Sequence, residues 1–171
     1  MSRLLVFVLV VLAGTLLSVS GIAASKRPAE AWNYYHFDGS AFVPGPAGDG
    51  TAFMAVRERV RPAVLTITTQ EPEQVVLPNE SGAIAGICYL HSSGGKLGTG
   101  RSFKPYPRVP LQISTAGRHF VTVQTDDNGY FVVVLPAGTY AVGSGPFSAE
   151  ITVEKGTTTL VPLRVGKRMV D

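Results

Sequence analysis

The chain has 171 residues, a mass of 18.1 kDa and a formal net charge of +3, which limits it to one or two small domains. Charged residues make up 16% and hydrophobic residues 45%, a balance that excludes a largely disordered chain. The 19 glycines and 12 prolines would interrupt long helices repeatedly, which excludes a helical bundle. The single cysteine, Cys88, excludes an intrachain disulfide and any zinc site built on cysteine spacing.

The chain begins with an apolar run, Leu4 to Leu17, that follows Arg3 and leads into small residues ending at Ala24. A basic start, an apolar middle and a small-residue exit are typical of a signal peptide, so we predict that residues 1–24 are removed on export. The mature protein would then be secreted or periplasmic, as in bacterial export. The alternative is an uncleaved inner-membrane anchor formed by residues 4–24, which are just long enough to span a bilayer.

Residues 25–80 form an N-terminal extension with its own composition. The extension opens with an aromatic cluster, which consists of Trp32, Tyr34, Tyr35 and Phe37. Alternation from Ala52 to Arg61 favours a half-buried strand over a short helix, and residues 63–69 are a second β segment. Residues 70–80 are polar and contain proline, which predicts a linker. We therefore expect an extension with extra strands and a linker at its end.

From Gly82 onward, short β segments alternate with turns and no helical pattern intervenes. The seven segments are residues 84–90, 109–115, 118–125, 130–135, 139–144, 149–154 and 158–165. Asp126 to Gly129 has the residues of a hairpin turn, and residues 91–108 read as a long loop. The pattern predicts an all-β fold, an antiparallel seven-stranded Greek-key-like sandwich.

Four motifs within this region resemble those of the carboxypeptidase regulatory-like domain. Gly82–Ile87 is similar to its G-x-I-x-G-x opening, and Val109–Ile113 resembles its second strand. Thr125–Phe131 is similar to its T-D-x-x-G-x-F turn, and Leu135–Tyr140 to its L-P-x-G-x-Y turn. The resemblance covers about residues 81–165 and implies a transthyretin-like (prealbumin-like) sandwich, grouped with carbohydrate-binding-like folds. It also implies an accessory or interaction module of exported proteins, and we place that domain at residues 81–171.

These motifs have physical roles that need no chemistry. Gly129 and Gly138 suit turns that require positive φ or close backbone approach. Phe131 and Tyr140 would fill the core, with the tyrosine hydroxyl bonded to the backbone or to water. Pro136 would limit pairing at a strand end. The motifs therefore predict a fold and carry no activity.

Groups that could perform catalysis are scattered along the sequence. His36, His91 and His119 lie in different segments without metal-ligand spacing, and no serine stands in a nucleophile elbow. Cys88 lies between two apolar residues of a predicted strand, which predicts a buried thiol. We therefore expect no enzymatic activity, no metal and no cofactor. A hydrolase with a site in the 91–108 loop is the least favoured hypothesis.

Two groups of residues are candidates for a binding surface. One is the aromatic cluster near the N-terminus; the other combines basic and aromatic side chains and consists of Arg101, Phe103, Lys104, Tyr106 and Arg108. Exposed aromatics stack on sugars or anchor protein interfaces, and export disfavours nucleic acid as a partner. The sequence thus predicts an exported non-catalytic module that binds a protein partner or cell-envelope component. Carbohydrate binding is the alternative, and membrane contact is expected only if the apolar run is uncleaved.

Overall fold

The computed structural model describes residues 31–48, 50–67, 71–93, 103–144 and 146–169, and all regular elements in these ranges are β-strands. The predicted all-β fold is therefore confirmed. The predicted signal peptide, residues 1–24, lies outside the described residues. No helix within the described ranges is long and apolar enough to span a bilayer.

The strands form three sheets, which we call the N-terminal, central and outer sheets. The strands are β1 (Asn33–Phe37), β2 (Phe42–Pro44), β3 (Phe53–Arg57), β4 (Val60–Leu65), β5 (Ser81–Ser93), β6 (Phe103–Pro105), β7 (Pro110–Thr115), β8 (Arg118–Gln124), β9 (Tyr130–Pro136), β10 (Gly138–Ser144), β11 (Phe147–Val153) and β12 (Thr158–Met169). The N-terminal sheet has the order β2-β1-β3-β4 and the outer sheet the order β11-β10-β7-β8. In the central sheet, β5 pairs with β12 on one side and with β9 and β6 on the other.

The central and outer sheets form the predicted sandwich, because all seven predicted β segments after Gly82 are strands of these two sheets. Their shared core includes Ile84 and Cys88 of the central sheet with Leu111 and Val142 of the outer sheet. The pairing of β5 with β12 is parallel, whereas the other strand pairs are antiparallel. The first and last strands of the sandwich, β5 and β12, are therefore parallel neighbours. The prediction of a fully antiparallel sandwich does not include this pair.

Strand β5 is buried on both faces. Ile84 and Cys88 face the outer sheet, and Ala85, Ile87 and Tyr89 belong to a second core against the N-terminal sheet. A strand covered on both faces reads as a continuous apolar run, which explains the sequence of this segment. The extension thus forms the third layer of a three-layer molecule. The division into residues 25–80 and 81–171 stays a prediction, since this second core is shared by both parts.

The prediction of one strand from Ala52 to Arg61 is wrong, although the choice of strand over helix is confirmed. The segment is a pair of strands, β3 and β4, with a turn at Glu58 and Arg59. Arg59 has a φ of 59°, and its N–H donates to the carbonyl oxygen of Gly156 at 2.7 Å. This bond to a distant turn supports a conformation that the local sequence does not indicate.

The predicted linker, residues 70–80, is partly structured along the edge of β4. Arg61 donates its backbone N–H to the carbonyl oxygen of Val75 at 2.7 Å, and Val76 forms an isolated bridge with Val60. Leu77 is buried. The segment therefore covers an otherwise unpaired strand edge, which is a correction to its prediction as a linker.

The Asp126–Gly129 turn joins two sheets and is not a hairpin, since β8 belongs to the outer sheet and β9 to the central sheet. Asp126 Oδ1 accepts hydrogen bonds from the backbone N–H groups of Asn128 and Tyr130, both at 2.8 Å. The Tyr140 hydroxyl donates to the carbonyl oxygen of Pro136 at 3.0 Å, as predicted for a backbone partner. The local residues of the turn therefore determine that the chain bends here. Which strand pairs with β9 depends on the tertiary fold.

The predicted loop at residues 91–108 is shorter than expected, because strands enter it from both sides. Strand β5 extends to Ser93, and β6 pairs with Tyr89, Leu90 and His91. Residues 94–102 lie outside the described ranges.

Candidate functional site

The predicted aromatic cluster is largely occupied in packing within the N-terminal sheet. Trp32 and Tyr34 are half-buried against the outward-facing cluster of this sheet, and the Tyr34 ring meets that of Phe53 edge to face at 5.8 Å. Tyr35 is half-buried against the core shared with the central sheet. These three rings are only partly available to a ligand.

Phe37 and Phe103 are core residues, so their prediction as surface residues is wrong. Their ring centroids are 4.8 Å apart in an edge-to-face contact, and both rings also contact Tyr89. The exposed fractions of the two side chains are 4% and 7%. The structure therefore brings one residue of each predicted binding group together. The contact lies in the core between the N-terminal and central sheets, where aromatic pairs stabilise packing.

The remaining residues of the basic and aromatic group have separate surroundings. Lys104, Tyr106 and Arg108 are exposed, and Arg101 lies outside the described residues. Arg108 Nε lies 2.8 Å from Asp127 Oδ1. This hydrogen bond, together with the attraction of the charges, raises the pKa of the Arg108 guanidinium and lowers that of the Asp127 carboxyl. The charge of Arg108 is thus already paired with that of Asp127.

The histidines of the described residues bond to different neighbours. His36 Nδ1 lies 3.1 Å from the carbonyl oxygen of Gly45, and His119 Nε2 lies 2.9 Å from Thr122 Oγ1. His91 is half-buried in β5. Among the described residues, no group of three or more His, Cys, Asp or Glu side chains is placed to hold a metal. Cys88 is buried as predicted, and burial raises the pKa of its thiol to about 12.

A long groove lies on the open side of the sandwich, between the terminal strands β11 and β12. It consists of two adjoining cavities of about 800 Å³ and 240 Å³, which share Ala149 and Pro162 in their walls. Ile151, Val161 and Leu163 line it with apolar surface. The two strands are joined by a turn at one end of the groove, and Phe147 and Arg164 lie at the other. This groove is the candidate functional site.

Strand β11 presents free backbone groups to the groove. The carbonyl oxygen of Thr152 accepts a hydrogen bond from Thr159 Oγ1 on β12 at 3.1 Å, so it points away from β10. Because backbone groups alternate along a strand, the N–H and C=O of Ser148 and Glu150 point the same way. Those of Ala149 and Ile151 face β10, which is paired with β11 along its whole length. A segment lying in the groove could therefore bond to Ser148 and Glu150.

Strand β12 is a poorer partner for an added strand. The carbonyl oxygen of Thr157 accepts a hydrogen bond from the backbone N–H of Ala83 on β5. Every second residue of β12 from Thr157 onward therefore points its backbone groups toward β5, and the backbone of Pro162 points away from β5. Proline supplies no N–H there, and the pairing of β12 shifts register between Arg164 and Gly166. Both features interrupt an edge that would otherwise accept another strand.

Most of the other terminal strands among the described residues are short, covered or irregular. Strands β2 and β6 have three residues each, and β4 is covered by the segment around Val76. The pairing of β8 with β7 shifts register beside Phe120. Strand β9 also has seven regularly paired residues, but it ends in Pro136, and it lines a cleft of about 370 Å³ that is also walled by Arg61 and Glu73. Strand β11 is the other long, regularly paired edge, and it contains no proline.

Sequence reasoning predicted the β11 segment and its inward-facing Ile151 and Val153, both of which are buried. It did not identify the edge as a site. Apolar and polar residues alternate in the same way in an edge strand and in an inner strand when one face of the sheet is buried and the other is in solvent. The absence of proline and the alternating polar residues Ser148, Glu150 and Thr152 were the only local signals.

No protein-family model matches the chain, and no curated protein matches it. A similar solved structure is that of GBS52, the minor pilin of the Gram-positive pathogen Streptococcus agalactiae, with a TM-score of 0.38 and 13% sequence identity. The match covers 76% of this chain and 66% of that chain. A likeness this distant carries nothing about function.

Proposed function

We propose that this protein is an exported, non-catalytic interaction module that binds an extended segment of a partner protein as an added strand on β11. The observation that carries the proposal is the row of backbone groups of Ser148 and Glu150, which face the groove and meet no strand of their own sheet.

Strand addition suits this groove physically. Seven residues of β11 extend over about 20 Å, which is enough for a short peptide to pair along the edge. Main-chain hydrogen bonds would give affinity, while alternate side chains would enter the groove or stay in solvent. The side chains that enter would meet Ile151, Val161 and Leu163. The groove therefore selects an extended segment with apolar residues at alternate positions.

Two sequence observations support the rest of the proposal. The apolar run in residues 1–24 supports export, which would bring the groove into contact with cell-envelope or secreted proteins. The motifs within residues 81–165 resemble the carboxypeptidase regulatory-like domain, for which an accessory or interaction role is usual.

The test uses proline to remove one outward-facing N–H. Glu150→Pro would delete a donor that faces the groove and would leave the bonds between β11 and β10 intact, since an edge position tolerates proline. Thr122→Pro is the matched control on β8, at the other edge of the outer sheet. The mature protein and both variants are used to capture partners from envelope extract. We expect Glu150→Pro, and not Thr122→Pro, to lose the captured protein.

Hydrogen exchange locates the binding site in the captured complex. The amide hydrogens of Ser148 and Glu150 should exchange more slowly in the complex than in the free protein. Equal capture by both proline variants, or protection confined to another edge, would show that β11 is not the site.

Carbohydrate binding by Trp32, Tyr34 and Tyr35 stays a prediction, and strand addition is favoured because these rings are already packed against the N-terminal sheet. A hydrolase site in residues 91–108 likewise stays a prediction, since residues 94–102 are not described.

A further inference from the structure

We infer that one end of the central sheet is a further binding site, which takes a linear anionic glycan. This inference goes beyond the proposed function, because it concerns side-chain charge on the central sheet and not the backbone edge of β11. It follows from the distribution of charged residues along the four strands of the central sheet.

The central sheet carries only positive charge. Its strands β5, β6, β9 and β12 contain no aspartate or glutamate, and their charged residues are Lys104, Arg164, Lys167 and Arg168. The formal net charge of the whole chain is +3, so the rest of the chain is close to balanced. The excess of positive charge therefore belongs to this sheet.

The pairing register places these residues at one end of the sheet, which we call the basic end. Lys104 of β6 lies opposite Leu90 of β5. On the other side of β5, the residues of β12 from Arg164 to Arg168 lie opposite residues 89–92. Adjacent strands are about 4.8 Å apart and each residue extends a strand by about 3.3 Å, so the backbones of the four basic residues lie within roughly 12 Å of one another.

Acidic residues beside the basic end already have partners. The β8–β9 turn packs against β6; its Asp127 is paired with Arg108, and its Asp126 accepts hydrogen bonds from the backbone of the turn. The β1–β2 turn follows β1, whose last residue packs on β6, and Asp38 of this turn accepts hydrogen bonds from within the turn itself. These carboxylates stabilise their own turns and do not pair with the basic end.

The cations of the basic end are accessible and lie on both faces of the sheet. Lys104 and Arg164 are exposed, and neither has an ion-pair partner among the residues that the structure describes. Arg164 pairs with Tyr89 and Lys104 with Leu90, and successive residues of a strand face opposite sides of the sheet. A flexible chain can contact both faces at once, whereas a flat membrane surface cannot. The arrangement therefore favours a linear polyanion over a membrane.

Exposed aromatic rings border these cations and favour a glycan. Phe147 lines the same cavity as Arg164, and Tyr106 directly follows β6; the exposed fractions of the two residues are 44% and 42%. Aromatic faces stack on sugar rings, and repeated anionic groups on the glycan would meet the cations. Export, which residues 1–24 predict, would bring this end into contact with polymers of the cell envelope instead of nucleic acid.

Dextran sulfate and uncharged dextran of equal length test the inference on the full mature chain. We expect dextran sulfate to bind and dextran not to bind. The affinity for dextran sulfate should fall as the salt concentration rises, because salt screens the cations and reduces the gain from releasing counterions.

Charge reversal locates the site on the chain. Lys104→Glu and Arg164→Glu should each lower the affinity for dextran sulfate by about fivefold at low salt. Arg118→Glu is the matched control, because Arg118 is exposed on β8 and pairs with Thr115 at the opposite end of the molecule. It changes the net charge by the same amount and should leave the affinity within about twofold. All three residues are exposed, so the variants should unfold at the same urea concentration as the unaltered chain.

Several results would overturn the inference. Equal losses in Lys104→Glu and Arg118→Glu would show that overall charge, and not the basic end, holds the polymer. Inorganic polyphosphate that binds as tightly as dextran sulfate would show that no sugar is recognised. Tighter binding of anionic phospholipid vesicles or single-stranded DNA would identify another class of partner. Failure of dextran sulfate to bind at low salt would remove the site altogether.

Discussion

Gly86 lies in β5 at the point where the ring of Phe131 packs against the central sheet. A Cβ atom at this position would lie 2.1 Å from the carbonyl oxygen of Val161 and 2.8 Å from the Phe131 ring. Gly86→Ala should therefore lower the free energy of unfolding by about 1–3 kcal/mol, the usual cost of overpacking a core. Urea denaturation measures this change.

Gly48→Ala is the matched control for this substitution. A Cβ atom at Gly48 meets no other atom within 4 Å, and its backbone is not in the left-handed region. The free energy of unfolding should change by less than about 0.5 kcal/mol. Equal midpoints for both alanine variants would show that β5 can move away from both β9 and β12 enough to accept a methyl group.

The thiol of Cys88 gives a prediction about pH. Burial raises its pKa from 9.0 to about 12, so the folded chain keeps the thiol protonated where the unfolded chain ionises it. This contribution to stability is fully present below pH 9.0 and is lost as the pH rises toward 12. The free energy of unfolding should fall more steeply above pH 9 for the unaltered chain than for Cys88→Ala.

Thiol reactivity provides the accompanying measurement. A disulfide reagent at pH 8 should leave the folded chain unmodified and react with one thiol after denaturation, because a buried, protonated thiol is a poor nucleophile. Rapid reaction of the folded chain would contradict the buried position of Cys88.

At the scale of elements, the turn from β8 to β9 carries the chain from the outer sheet to the central sheet. Asp126 holds this turn through its two hydrogen bonds to Asn128 and Tyr130. Asp126→Ala should lower the free energy of unfolding by about 2 kcal/mol, since bonds to a charged acceptor are stronger than neutral ones. Asp126→Asn retains an acceptor oxygen and should lose less. A smaller loss for alanine than for asparagine, measured in urea, would contradict this role.

The sequence was sufficient to locate the strands of the sandwich, because alternation and turn residues are local properties. Asp126 and Gly129 indicated a bend, and the bend is present. Whether the two strands at a bend pair with each other depends on distant partners. Strand β5 takes β9 on one side and the parallel β12 on the other, and no local pattern distinguishes this arrangement from a hairpin.

The same limit applies to the candidate site and to the extension. Alternation placed Ile151 inward, but the edge position of β11 follows from the order of all strands in the outer sheet. Phe37 and Phe103 were predicted as surface residues because nothing in their segments indicated the other layer. The positive φ of Arg59 likewise depends on a bond to Gly156.

At the scale of the whole molecule, the core shared by the N-terminal and central sheets links the extension to the sandwich. Trp32, the only tryptophan, reports on the N-terminal sheet, whereas far-ultraviolet circular dichroism reports on all strands. We expect urea unfolding to give the same midpoint with both signals, because the sheets are stabilised by common contacts. Separate midpoints would show that the extension unfolds on its own.

A chain that begins at Ser81 tests the same dependence from the other side. Without the extension, one face of the central sheet would lose its cover, and Ala85, Ile87 and Tyr89 would become exposed. Apolar surface of this kind destabilises a small sandwich and promotes association. We expect the shortened chain to bind a hydrophobic dye and to unfold at lower urea concentration than the full mature chain. A shortened chain that stays monomeric, binds no dye and unfolds at an unchanged midpoint would show that residues 81–171 fold as an independent domain.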